Sequence, residues 1–187
     1  MTAMTANEAE TPAAFLDLWR EKVFLGREFL TWLWITSEIH GNLLNLKPQG
    51  AVELWFENRL TLESGEGAGR KTVICRDPEA KWAEALTAIR EGKQITRGRL
   101  RLRTEDKEWS LTLNADTLTP QAVTFPKGLV EAEDQAADLF LERTALLGEL
   151  VGLIETLCRQ FLERRLSEDW SAEELPRLNK WLAERKK

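Results

Sequence analysis

The stretch ITRGRLRLRT, residues 95–104, decides how this chain is read. Arg97, Arg99, Arg101 and Arg103 fill every second position. Successive side chains of a strand leave opposite faces, so these guanidinium groups share one face at a spacing of about 6.5–7 Å. Gly98, Leu100 and Leu102 take the other face, towards a core. Alternation of this kind assigns a half-buried strand.

The same period recurs upstream. In AVELWFENRLTLES (51–64), Val52, Leu54, Phe56, Leu60 and Leu62 alternate with Glu53, Trp55, Glu57, Arg59 and Thr61. GEGAG (65–69) reads as a turn and KTVIC (71–75) as a second strand. Asp77 and Pro78 open a helix with the stripe Trp82, Leu86 and Ile89, and Gly92 ends it. Downstream, 108–114 is a fourth strand across a polar turn around Glu105–Lys107, and a shorter one lies near Ala122–Phe125. Past Pro126 and Gly128, one long amphipathic helix runs from about Glu131 to Leu166. Its stripe holds Leu139, Leu146, Leu147, Leu150, Ile154, Leu157, Phe161 and Leu162. Gly148 and Gly152 within it permit close packing or a slight bend. A last helix starts near Ser171, with Glu174 as the partner of a capping box.

At the other end, residues 1–11 are small and polar and read as a disordered tail. Pro12 starts a helix carrying Phe15, Leu18, Trp19 and Val23. Gly26 interrupts it, and a second helix from Arg27 to Ile39 carries Phe29, Leu30, Leu33 and Trp34, with Trp32 at its flank. Gly41 and Asn42 stop it. The expected fold is α+β: a mainly antiparallel sheet of four to five strands, packed helices and a long C-terminal helix. The expected organisation is a tail and one domain over 12–187, helical over 12–42, a sheet with an inserted helix over 51–126, and helical over 131–187.

Composition narrows the chemistry. The chain has 187 residues, 26 Lys and Arg, 31 Asp and Glu, one His, two Cys, eight Trp and no Tyr. Lack of Tyr excludes strand transfer through a phosphotyrosine, and a solitary His40 excludes a His-rich metal site. Cys75 and Cys158 form no CxxC pair, so a structural zinc is not expected, and two lone thiols fit a reducing compartment. There is no apolar run of the ~18 residues a membrane span needs, and the first residues lack the basic and apolar regions of a signal peptide. The expectation is a cytoplasmic, nucleoid-associated protein, with no enzyme activity, catalytic residue, cofactor, metal or membrane contact.

The net charge of −5 hides a division. Residues 70–103 hold ten basic and four acidic residues, while the segments on either side are acidic. A row of like charges on one face repels itself unless an anion lies across it. A phosphate backbone suits such a row, because Arg binds phosphate in a fork and a basic track follows repeated charge without reading sequence. Arg70, Lys71 and Lys93 would extend the patch. The opposite reading is equally concrete: Glu53, Glu57 and Glu63 share one face of the first strand, and in register beside 97–103 they would neutralise the arginines.

Other features read as structure. Trp19, Trp32, Trp34 and Trp82 belong to apolar stripes, and Trp109 packs beneath the hairpin; Trp55 falls on the polar face as a surface contact. His40 follows a helix end and suits a C-terminal cap, with no nucleophile motif beside it. The acidic pairs Glu133/Asp134, Glu168/Asp169 and Glu173/Glu174 read as dipole-stabilising helix starts rather than a Mg²⁺ site. GEGAG lacks the lysine and following helix of a phosphate loop, and GREF (26–29) is no dinucleotide fingerprint.

FLGREFLTWLW (24–34) resembles a segment of divergent members of the recombination-associated RdgC family. So does the later order: VIC (73–75), an Asp, a helix ending in EGK (91–93), a hairpin with a Trp (95–114), and a Leu-rich helix over 139–162. The resemblance covers roughly residues 20–165 and matches only the C-terminal half of a family member. It implies non-catalytic binding of duplex DNA with little sequence preference, by a ring-shaped dimer linked to control of RecA-dependent recombination. The half that helps complete such a ring is not matched. The resemblance therefore implies either a homo-oligomer that uses the domain differently or a partner chain supplying that half. The rival expectation is a protein-interaction subunit of a larger assembly that does not itself bind DNA, docking through the long Leu-rich helix.

Overall fold

In the computed structural model, which describes residues 12–64, 70–76, 81–128 and 136–185, the two alternating stretches lie side by side. They are β2 (Gly50–Ser64) and β4 (Gln94–Arg103), antiparallel, with Leu54 opposite Leu102 and Phe56 opposite Leu100. β5 (Glu108–Asn114) and β6 (Pro120–Thr124) continue the sheet beyond β4. β1 (Leu43–Leu46) and β3 (Lys71–Cys75) share the other edge of β2, β1 against residues 50–53 and β3 against 60–64. The fold is α+β, with six strands in one antiparallel sheet where four or five were expected. The helices are α1 (Pro12–Ile39), α2 (Lys81–Arg90), α3 (Ala136–Arg165) and α4 (Leu175–Glu184), with a π-helical turn, Trp170–Glu174, leading into α4. The tail at 1–11, the GEGAG turn, Asp77–Pro78, and Glu133/Asp134 lie outside the described residues, as do the side chains of Phe15, Leu18, Trp19, Val23 and Trp82.

Strand alternation supplies one apolar face, and the helices cover it. Val52, Leu54, Phe56, Leu60, Leu62, Leu100, Leu102, Trp109, Leu111 and Leu113 are buried in one cluster with residues of all four helices. Phe161 of α3 is the aromatic hub: its ring centroid lies 5.7 Å from Phe29, 5.5 Å from Trp32 and 6.0 Å from Trp170. Trp32, Trp34 and Trp109 are core residues, as their positions in the sequence predict.

Four sequence expectations change. Gly26 does not interrupt α1, which runs through it. A Cβ at Gly26 would stand 1.9 Å from the Ala115 carbonyl oxygen, so the glycine lets the helix touch the chain just past β5. Residues 43–46 form β1, with Leu44 and Leu46 buried; four residues before Lys47-Pro48 are too few to show a period. Gly148 and Gly152 are not sites of close packing among the described residues, since a Cβ at either meets nothing within 4 Å. Each nonetheless costs a helix about 1 kcal/mol relative to Ala.

The fourth change concerns Glu174. It makes no capping box: the helix start at the π turn has no side-chain cap. Glu174 is buried instead, and its Oε1 accepts hydrogen bonds from Trp32 Nε1 (2.9 Å) and Arg177 Nη2 (2.7 Å). This carboxylate fastens the C-terminal helices to α1. Burial alone would raise its pKa; the hydrogen bonds from Arg177 and Trp32, with the charges of Arg177 and Arg164, outweigh burial and hold it below the ordinary 4.5.

Two outcomes follow from these contacts. Gly26→Ala would ordinarily favour a helix, but here it should destabilise the protein by about 1–3 kcal/mol in urea unfolding, because α1 must back away from Ala115. A depressed folded pKa gives stability that is present above the unfolded value and lost below it. The stabilisation from Glu174 is therefore full at neutral pH and lost as pH falls below about 4.5. Glu174→Gln should lower the melting temperature at neutral pH and flatten the acid limb of the melting temperature–pH curve.

Candidate nucleic-acid interface

β4 places its four arginines on the face of the sheet opposite the helices, as period two requires. Gly98, Leu100 and Leu102 between them are buried. Arg97 is exposed, and the side chains of Arg99, Arg101 and Arg103 keep 36%, 41% and 56% of their surface. The row is thus both open to solvent and flanked by its neighbours in the sheet.

Those neighbours follow from register. In β2, Glu53 stands opposite Arg103, Trp55 opposite Arg101 and Thr61 opposite Arg97. In β5, Glu108, Ser110, Thr112 and Asn114 stand opposite Arg103, Arg101, Arg99 and Arg97. Between Phe56 and Leu60 the pairing shifts, so residues 57–59 of β2 oppose Arg99 alone. That bulge sets Glu57 between two arginines: its carboxylate accepts from Arg99 Nε at 3.1 Å and lies 3.7 Å from Arg101 Nε. Glu53 lies 3.9 Å from Arg103. Glu63 takes no part, because Arg70 and Thr72 hold its carboxylate.

The charge on this face is graded. Acid gathers at the Arg103 end, between Glu53 and Glu108. Arg97, at the other end, donates to the Gln121 side-chain oxygen at 3.0 Å and has no carboxylate partner among the described residues. Trp55 is half-buried on the same face, and the Arg101 guanidinium lies over its ring at 4.8 Å from the centroid. Such a cation–π contact contributes about 0.5–1 kcal/mol at an exposed site. Arg101 Nε is itself buried, without a hydrogen-bond partner among the described residues, so an anion above the sheet would meet the terminal nitrogens of this guanidinium.

Of the three residues expected to extend the patch, Lys93 and Lys71 do not do so. Lys93 is buried and its ammonium bonds Glu91. Lys71 shares a face with Val73 and Cys75, which stand opposite the buried Leu62 and Leu60, so it belongs to the side of the sheet away from the arginines. The hydrogen bond and charge of Lys93 lower the Glu91 pKa, and the charge of Lys71 adds to this. Arg70 is exposed but engaged with Glu63. Spacing alone could not separate these cations from the row; strand parity could have excluded Lys71. The polar partners Ser110, Thr112 and Asn114 were available from the alternation of 108–114, whereas Gln121 depended on the β5–β6 register.

Other candidates fall elsewhere. His40 is exposed after α1, with Nε2 3.3 Å from Arg177 Nη1. Among the described residues, no group of three or more His, Cys, Asp or Glu is placed to hold a metal ion, and no helix is long and apolar enough to cross a membrane.

The Glu57 bridge gives a gain-of-function test. These ion pairs are partly exposed, so removing them should change stability by less than about 1 kcal/mol. If this face holds duplex DNA, Glu57→Gln, by releasing Arg99 and Arg101, should tighten that binding in fluorescence anisotropy, with thermal unfolding nearly unchanged.

Compared with known proteins, the chain matches no family model, no curated protein and no solved structure.

Proposed function

We propose that this chain is a non-catalytic DNA-binding protein that holds the phosphate backbone, of duplex DNA in particular, against the open face of its sheet. The observation that carries the reading is the arginine row itself: four guanidinium groups on one accessible strand face, one of them ordered on Trp55 and one without a carboxylate partner among the described residues. Arg97, Arg99 and Arg101 make the main phosphate contacts, and Arg103 contributes less because acid flanks it. Contacts of this kind position a protein on DNA without specifying sequence. The RdgC-like order of segments supports the same reading and extends it to an accessory role in recombination.

Glu53 and Glu57 temper the interface rather than abolish it. Exposed ion pairs contribute about 0–1 kcal/mol, so a phosphate can displace a carboxylate at little cost. Binding is then strongest at low salt and falls steeply as salt rises.

A second reading has its own observation. The outer side of α3 exposes large apolar residues, which suits a protein-interaction subunit that does not bind DNA. The two readings separate cleanly. Replacing Arg97 and Arg99 with Ala together should weaken duplex binding at least roughly tenfold at low salt and reduce the slope of log affinity against log salt by about two units. Wild-type binding that is absent, or unchanged in the double variant, would favour the interaction subunit.

A further inference from the structure

We propose that the outer face of α3 is a self-association surface, on which a second copy of this chain lays its own α3 antiparallel. The proposal stands apart from DNA binding. α3 belongs to the helix side of the sheet, so a pair joined through it leaves both arginine faces uncovered.

The face is apolar where solvent would favour charge. Phe140, Leu141, Leu147 and Val151 are 69%, 64%, 38% and 37% exposed. Phe140 and Leu147 are two helical turns apart and Leu147 and Val151 one, with Leu141 beside them, so they group on the side away from the buried Leu146, Leu150, Leu153 and Leu157. From Ala137 to Gly152 the stripe runs for about 24 Å along the helix. Contiguous apolar surface of this kind marks an interaction site.

Gly148 and Gly152 lie on the same side. Nothing within 4 Å would meet a Cβ at either, so no contact among the described residues requires a glycine there. Glycine in a helix interior is unfavourable unless another backbone must come close. With Thr144 they form a shallow seam flanked by the large apolar residues, the shape a second helix fits.

Charge selects the occupant. Asp138 flanks the first half of the stripe, and Glu155 and Arg159 lie in its second half. None of these three makes an ion pair with another described residue. When two copies of α3 run antiparallel with Gly148 against Gly148, Ala137 of one copy falls beside Arg159 of the other. Leu141 likewise falls beside Glu155. Asp138 then lies within one residue of Arg159, a shift of about 1.5 Å. Two-fold symmetry forms this pair twice. A parallel alignment would set Arg159 against Arg159 and Glu155 against Glu155. The surface is therefore complementary to itself in one direction.

Sedimentation of the 187-residue chain over a roughly hundredfold range about the micromolar scale tests this. A monomer–dimer equilibrium is expected. Leu141→Asp should sediment as a monomer while keeping its circular-dichroism spectrum. Asp138→Arg should weaken dimerisation about tenfold, and adding Arg159→Asp should restore it, which a folding defect would not do. Gly148→Cys should cross-link to itself under mild oxidation. A wild-type chain that stays monomeric throughout, including one whose stripe is covered by another partner, overturns the proposal. So does a dimer indifferent to Leu141→Asp, or a charge swap that fails to restore association.

Discussion

The pairing of β2 with β4 is the constraint on which the rest of the structure depends. It sets Leu54 against Leu102 and Phe56 against Leu100 on the side the helices cover. A slip of one residue would turn every β4 side chain over, sending Leu100 and Leu102 into water and the arginines into the core. Burying unpaired charge costs several kcal/mol per ion, so the register is strongly specified. Gly98 adds a local lock, since a Cβ there would lie 2.9 Å from the Phe56 ring. The hydrophobic core and the arginine face are two results of one alignment.

That alignment also explains how four like charges share a strand. Each arginine has an answer from a neighbouring strand: Gln121 for Arg97, Glu57 for Arg99, Glu57 and the Trp55 ring for Arg101, Glu53 for Arg103. The bulge at 57–59 is central to this, because it lets one carboxylate serve two guanidinium groups. The repulsion is relieved enough for a stable sheet, yet the pairs stay in solvent, where exchange for phosphate is cheap. The acidic excess of the chain as a whole is not concentrated at the Arg97 end, where the residues beside Arg97 in the sheet, Thr61 and Asn114, and its hydrogen-bond partner Gln121 are neutral.

Much of this was legible in the residues. Period two gave β4 as a strand over 94–103 with the arginines on one side, and gave the neighbouring strand at 108–114. It also offered Glu53, Glu57 and Glu63 as the acids able to meet them, of which Glu63 is held by Arg70 and Thr72 instead. What stayed hidden depends on tertiary contact. Gly26 reads as a helix breaker until Ala115 is seen against it. Glu174 has the spacing of a capping box but serves Trp32, far away in the chain. Lys93 follows the inserted helix like any solvated cation, yet it is buried on Glu91. Strand β1 is too short for its alternation to stand out. The bulge that positions Glu57 leaves no mark in the residue pattern, because the alternation continues through Glu57 and Arg59.

The central claim is that DNA lies on the open face of the sheet, and nuclear magnetic resonance tests it most directly. Titrating a short duplex into the isotope-labelled chain at low salt should shift the Nε–Hε signals of Arg97, Arg99 and Arg101 and the Trp55 indole. Backbone amides of β4 and β5 should follow, with those of α3 and α4 left in place. Shifts confined to the helices, or none at all at saturating duplex, would contradict the assignment of this face.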